Sequence, residues 1–165
     1  MKEGMLETSS GRMTLTLPSD REIEVTRVFD APRDLVWKAY TDPEAIPQWW
    51  GPRRHTTTVD KMDVRPGGVW RYVSRDADGN EYGFHGEYRE VVPPERIVCT
   101  FEFEGMPGHV SVETLTLVEH QGKTTLTSTS VFGSVEDRDG MLQSGMEAGV
   151  RETWDRLAEY IETLK

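Results

Sequence analysis

The side chains able to do chemistry stand apart from one another in this sequence. His55, His85, His109 and His120 occur singly on different segments, without HExxH spacing and without a second cysteine beside Cys99, so no metal-ligand pattern can be read. There is no GxSxG elbow and no phosphate-cradling glycine loop; "RPGGVW" reads as a turn entering a strand. Cys99 sits among alternating apolar residues with no cation beside it to favour a thiolate, the pattern of an inert buried thiol. Glu113 shares parity with Leu115 and Leu117, and Glu147 lies in the first turn of a long helix. Either carboxyl can reach a pocket and titrate high for acid/base work. The plainer readings are a strand-end residue in water for Glu113 and a helix cap for Glu147. The hydroxyls of Tyr72, Tyr88, Ser128 and Ser130 suit ligand orientation in an otherwise apolar pocket, or simple bonding within a core.

The other concentration of chemistry is aromatic. "QWWGP" places Trp49 and Trp50 side by side before a Gly-Pro turn. Two successive indoles on a short helix do not easily face one core. One is expected to pack against the sheet or the first helix, the other to rim a pocket or a partner surface. The order is not legible from the spacing.

These residues must be held by the elements around them. A length of 165 residues suits one domain with one core. The net charge of −10 disfavours a long phosphate-neutralising surface, and hence nucleic acid as partner. One cysteine permits no internal disulfide, and "MKEGMLETSSGR" lacks an apolar signal core. With no run near the roughly 18 apolar residues of a membrane span, a cytoplasmic protein is expected.

Residues 1–12 are expected to form a flexible N-terminus and 13–165 a single domain. "REIEVTRVF" (21–29) alternates as a half-buried strand. A helix follows, opened by Pro32; then Asp42 and Pro43 start a short helix that Pro47 and Gly51-Pro52 stop. Between 54 and 132 the period is two, broken by "RPGG", "DADGN", "VPPE", "EGMPGH" and "HQGK", which predicts six strands in an antiparallel meander. The inward parity takes Trp70, Tyr72, Phe84, Gly86, Tyr88, Ile97, Cys99, Phe101, Phe103, Leu115, Leu117, Leu126, Ser128, Ser130 and Phe132. "HTTTVDKMDV" shows no clear parity, and a bulge before Gly67-Gly68 would account for it.

The last thirty residues turn helical, with Leu142, Met146, Val150, Thr153, Leu157, Tyr160, Ile161 and Leu164 on one side and Trp154 on the flank. Ser134 with Asp137 and Ser144 with Glu147 both resemble capping boxes, which predicts a short turn near 136–141 and a main helix from about 144. The fold class is therefore α+β: a curved antiparallel sheet of about seven strands covered by a long C-terminal helix, with two short helices after the first strand. A twisted sheet closing round one helix leaves space. Met141, Gly145, Met146 and Gly149 would line it, the glycines either as a notch or as helix-start and close-approach residues.

In order, "VTRVFDAPRDLVWKAYTDPEAIPQWWGP", "MDVRPGGVWRY", "DGNEYGFHGEYREVVPPERIV", "HQGKTTLTSTSVF" and "RDGMLQSGMEAGVRETWDRLAEYI" resemble the SRPBCC superfamily of START-like helix-grip proteins. More narrowly they resemble the branch named after the C-terminal domain of the activator of heat shock protein 90 ATPase. The resemblance runs from about residue 13 to 164. It implies a sheet gripping the C-terminal helix round a pocket for an apolar small molecule. Known members include carriers, aromatase/cyclases, stress proteins and co-chaperone domains, so fold alone does not select a function. The expected function is binding of an apolar or aromatic small molecule, with no cofactor. The expected lining is Trp49, Trp50, Trp70, Tyr72, Phe84, Tyr88, Cys99, Phe101, Leu115, Leu117, Ser128, Ser130, Met141, Gly145, Met146 and Gly149. The alternatives are a protein-interaction module, engaging a chaperone or a second copy, and a cyclase- or hydrolase-like enzyme using the same pocket.

Overall fold

A computed structural model describes residues 13–165 and the backbone of 6–7; the expected flexible segment 1–12 otherwise lies outside the described residues. Its strands are β1 (Leu6–Glu7), β2 (Thr14–Thr16), β3 (Glu22–Phe29), β4 (Thr56–Met62), β5 (Val69–Arg75), β6 (Glu81–Val92), β7 (Arg96–Phe103), β8 (Ser111–His120) and β9 (Lys123–Val131). Helices α1 (Arg33–Thr41) and α2 (Ile46–Trp49) lie between β3 and β4; α3 (Val135–Gln143) and α4 (Met146–Thr163) end the chain.

The strands form one antiparallel sheet in the order β1-β2-β3-β9-β8-β7-β6-β5-β4. Short turns force β4 to β9 into neighbouring hairpins, and β3 then closes on β9, with Val25 opposite Ser128 and Phe29 opposite Thr124. The six-strand meander is as the alternation predicts. The two short strands β1 and β2 are additional to the expected seven, and too short to carry a period.

"HTTTVDKMDV" has no single parity because its register shifts between Val59 and Lys61, inside the strand and not before Gly67. Thr57 and Val59 thus face inward before the shift and Met62 after it. A second shift, between Tyr88 and Glu90, lets Val91 pack on the core although it is out of phase with Tyr88.

The helices differ from expectation at their ends. Pro47 lies in the first turn of α2, where a missing N–H costs nothing, so it helps begin this helix and does not stop it. Asp42 instead closes α1, and its Oδ1 accepts from Glu44 N at 2.9 Å. Ser134 caps α3 through Asp137 N, as read. Ser144 does not cap α4: its hydroxyl donates back to Met141 O at 2.6 Å. Gly145 takes the N-cap position at φ 86°, a left-handed conformation that glycine adopts without steric penalty. The buried face of α4 centres on Trp154, Leu157 and Ile161, so Trp154 is at its middle and not on its flank.

From α4, the Arg156 guanidinium reaches the carbonyls of Gln48 (3.2 Å), Gly51 (2.8 Å) and Pro52 (3.3 Å). It thereby satisfies the acceptors left at the end of α2 and ties the Trp49-Trp50 segment to the long helix. Arg156→Ala is expected to cost about 2 kcal/mol, since charged hydrogen bonds contribute about 1.5–3 kcal/mol each and water replaces part of them. Urea unfolding monitored by circular dichroism reads this loss.

Candidate functional site

Between the concave face of the sheet, α1 and α2, and the α3–α4 corner lies a cavity of about 320 Å³. Its wall is overwhelmingly apolar. One side is aromatic: Trp70, Tyr72, Tyr88 and Phe101 from β5, β6 and β7. The helices contribute Met141, Met146, Val150 and Trp154.

The adjacent tryptophans have separate tasks. Trp49 is 1% exposed, its Nε1 donates to Ala39 O at 3.0 Å, and its ring lies 4.7 Å from that of Tyr40. Trp50 is half-buried, with its centroid 5.1 Å from both Tyr72 and Phe84 in edge-on contacts. Trp50 borders both the cavity and an outer groove of about 1110 Å³ that runs past Arg54, His55, Phe84 and Gly149. Trp49 is the anchor and Trp50 the rim.

Of the expected lining, Trp49, Trp50, Trp70, Tyr72, Tyr88, Cys99, Phe101, Leu115, Ser128, Ser130, Met141 and Met146 meet at the cavity. Four do not. Phe84 faces the outer groove, one step beyond Trp50. Leu117 is opposite Leu126, one inward step past the cavity's Leu115–Ser128 pair, and is packed solidly in the core. Gly145 and Gly149 border only the outer groove; Gly145 serves the backbone at the helix start, and Gly149 is exposed on the far side of Val150. The glycine notch is not part of the cavity.

The structure adds Val25, Tyr40, Ile46, Ile97, Ser111, Glu113, Phe132, Val150 and Trp154. Parity alone recovers Ile97, Phe132 and Ser111; the helix contributions depend on tertiary angles that no local period carries.

Glu113 is the main correction. It is not a strand-end residue in water: its carboxyl is enclosed, and what surface it keeps faces the cavity. Cross-strand register explains this, because Cys99, Glu113 and Ser130 form one inward row across β7, β8 and β9. Ser130 Oγ donates to Oε1 at 2.6 Å and Ser111 Oγ to Oε2 at 2.7 Å. Burial nevertheless raises the Glu113 pKa, the two hydroxyl bonds offsetting only part of the lost hydration. Burial and the neighbouring Glu113 push the Cys99 thiol up to about 12, so it remains protonated. Tyr40, Tyr72 and Tyr88 are likewise raised, chiefly by burial.

A carboxyl whose folded pKa lies above its unfolded one stabilises the fold below the unfolded value. That contribution fades as pH rises through the folded one. Glu113→Gln, which keeps the shape and removes the ionisation, is therefore expected to raise Tm at pH 7.5 relative to wild type. The gap should close as pH falls toward about 4, near the ordinary glutamate range. Thermal denaturation of both proteins across that range is the check.

Away from the cavity, His85 points to the opposite face of the sheet, between Glu102 (3.3 Å) and Glu104 (2.9 Å), as its parity predicts. Arg71 grips Glu104 through two bonds of 2.8 Å, and with His85 holds that carboxyl at about 2. Glu147 pairs with Arg151 one turn along at 3.1 Å, a helix-surface contact. Among the described residues no group of histidine, cysteine, aspartate and glutamate is arranged to hold a metal ion. No described helix is long and apolar enough to cross a membrane.

A curved antiparallel sheet wrapped on a C-terminal helix, with an apolar hollow between them, defines the START-like helix-grip class. The chain belongs to the family described as Activator of Hsp90 ATPase homolog 1-like protein, whose model matches residues 30–162. A crystal structure of a Rhodobacter sphaeroides protein superposes with a TM-score of 0.86 at 24% identity, over 92% of this chain and 99% of that one. A Mycobacterium smegmatis protein gives 0.80 at 27% identity, covering 92% and 98%. A Chromobacterium violaceum protein gives 0.78 at 28% identity, covering 87% and 99%. No curated protein matches the sequence.

Proposed function

We propose that this protein binds an apolar or aromatic small molecule in the hollow between its sheet and α4. The observation carrying the reading is the cavity itself: about 320 Å³ inside an otherwise packed domain, apolar on nearly every side. Protein interiors close such spaces unless something fills them, because unmet wall atoms forfeit dispersion contacts. The volume is at the lower end of the roughly 300–1,000 Å³ of small-molecule sites. Trp50 provides a rim through which a guest can reach the cavity from the groove.

A second reading, a cyclase- or hydrolase-like enzyme using the same cavity, draws on one observation, the enclosed Glu113 carboxyl. Both of its oxygens are engaged by serines, which favours holding a group over passing a proton.

The test is titration with a series of alkylbenzenes, read by tryptophan emission and by thermal shift. Saturable binding to the wild type and its loss in Ser128→Phe, which fills the hollow from β9, is the expected result. Absence of saturable binding across the series, or equal binding by the filled variant, overturns the proposal.

A further inference from the structure

The cavity wall can be sorted by the charge each group is able to carry. Among the described residues no lysine, arginine, histidine or aspartate lines it. The tyrosines come from α1, β5 and β6, the thiol from β7, and all four are held protonated and neutral. From α3 and α4 only methionine, valine and tryptophan side chains face the space. Among the described lining residues, Glu113 brings the one carboxyl, and no cationic side chain stands beside it in the cavity.

An enclosed carboxylate without a cation is costly, and two serine hydroxyls supply donors but no charge. Each oxygen accepts one serine proton and keeps further acceptor capacity. The same sheet face continues into an aromatic wall: Phe101 is on the strand beside Glu113, Trp70 lies 5.9 Å from Phe101 and 4.7 Å from Tyr72, and Trp50 meets Tyr72 edge-on at 5.1 Å. Ring faces attract cations, most strongly when both are out of water. The net charge of −10 raises the local concentration of cations in the same sense. A carboxylic acid guest would meet a like charge, and a pure hydrocarbon would make no use of the Glu113 carboxyl.

We infer that the cavity selects amphipathic amines: an apolar or aromatic body packed on the indole and phenyl rings, and a protonated nitrogen on the Glu113 carboxylate between Ser111 and Ser130. This rests on the reading that the cavity binds small molecules at all. Glu113 is then the specificity-determining contact and the aromatic rings supply most of the affinity.

Three probes of similar length separate the two proposals: 4-phenylbutylamine, 4-phenylbutan-1-ol and pentylbenzene, titrated calorimetrically into wild type and Glu113→Gln at pH 7.5. The amine is expected to bind wild type tightest and to weaken about tenfold or more in the variant, the usual scale for losing a charge-assisted contact. The alcohol and hydrocarbon should change little. In wild type alone, amine affinity should rise with pH from about 4 to about 8 as Glu113 ionises, while pentylbenzene affinity stays level. This second measurement serves even if the variant does not fold. If alcohol and hydrocarbon bind but the amine binds no better, or equally well in both proteins, or without pH dependence, the amine inference fails and the cavity reading survives. If none of the three binds, both fail.

Discussion

Trp49→Ala is expected to remove about 3–5 kcal/mol of unfolding free energy, the range for deleting a large aromatic side chain from a packed interior. Trp50→Ala should cost only about 1–2 kcal/mol, because a side chain that is half-buried withdraws less apolar surface from water. Trp49 is 1% exposed, lies between Tyr40 and the inner wall, and loses with its indole a hydrogen bond to Ala39 O. No rearrangement of a four-residue helix can refill that space, since α2 is pinned from α4 by Arg156. Trp50 is held by edge contacts to Tyr72 and Phe84 and by its place at the rim. Its removal widens the passage, so probe exchange should accelerate in Trp50→Ala. Urea denaturation of the two variants side by side decides the assignment; a larger loss for Trp50→Ala would reverse the roles given to the pair.

The sheet was legible because its period is exact in parity: Trp70, Tyr72, Tyr88, Cys99, Phe101, Leu115, Ser128 and Ser130 all reach the cavity from alternate positions. The same parity placed His85 on the outer face. Alternation fails only where the register shifts, at Val59/Lys61 and Tyr88/Glu90, since one extra residue flips every side chain after it. Depth along the strand is a different quantity from side. Phe84 and Leu117 share the inward face with the lining residues, yet one is past the rim and the other below the floor.

Glu113 was hidden for a chemical reason. Its parity pointed inward, but a carboxylate is ordinarily found in water, and the two serines that make its burial tolerable are across a strand and two residues back. Gly145 shows the converse. Its spacing from Gly149 suggests a notch, while its left-handed backbone shows that the local need was to begin a helix immediately after another. Trp154, on the flank by its sequence spacing, is central because α4 packs on α1 and α2 while the indole meets Phe29 of β3 edge-on, and its Nε1 donates to Tyr40 at 3.1 Å.

Gly86→Ala should be the most damaging of the small substitutions, at about 3 kcal/mol or more, beyond the usual cost of overpacking. Gly86 alternates with Phe84 and Tyr88 on the inward side of β6, directly opposite Trp70 on β5. A Cβ there would overlap the Thr100 carbonyl oxygen of the next strand and come within 2.6 Å of Trp70 Nε1. The first obstacle is backbone, so relief requires parting β6 from β7; the second is an indole of the cavity wall, which would have to leave its place. Gly83→Ala on the same strand provides the control. Its added carbon meets the carboxylate end of Glu104 and, at 3.1 Å, Arg71 Nη2, both tips of flexible side chains on the outer face. The cost there should be about 1 kcal/mol, with the surface ion pair displaced and the cavity untouched, because such pairs contribute little in solvent. Thermal unfolding should therefore rank Gly86→Ala well below Gly83→Ala. Pentylbenzene affinity should fall in the first and hold in the second, since only Gly86 sets how closely Trp70 can lie against the sheet.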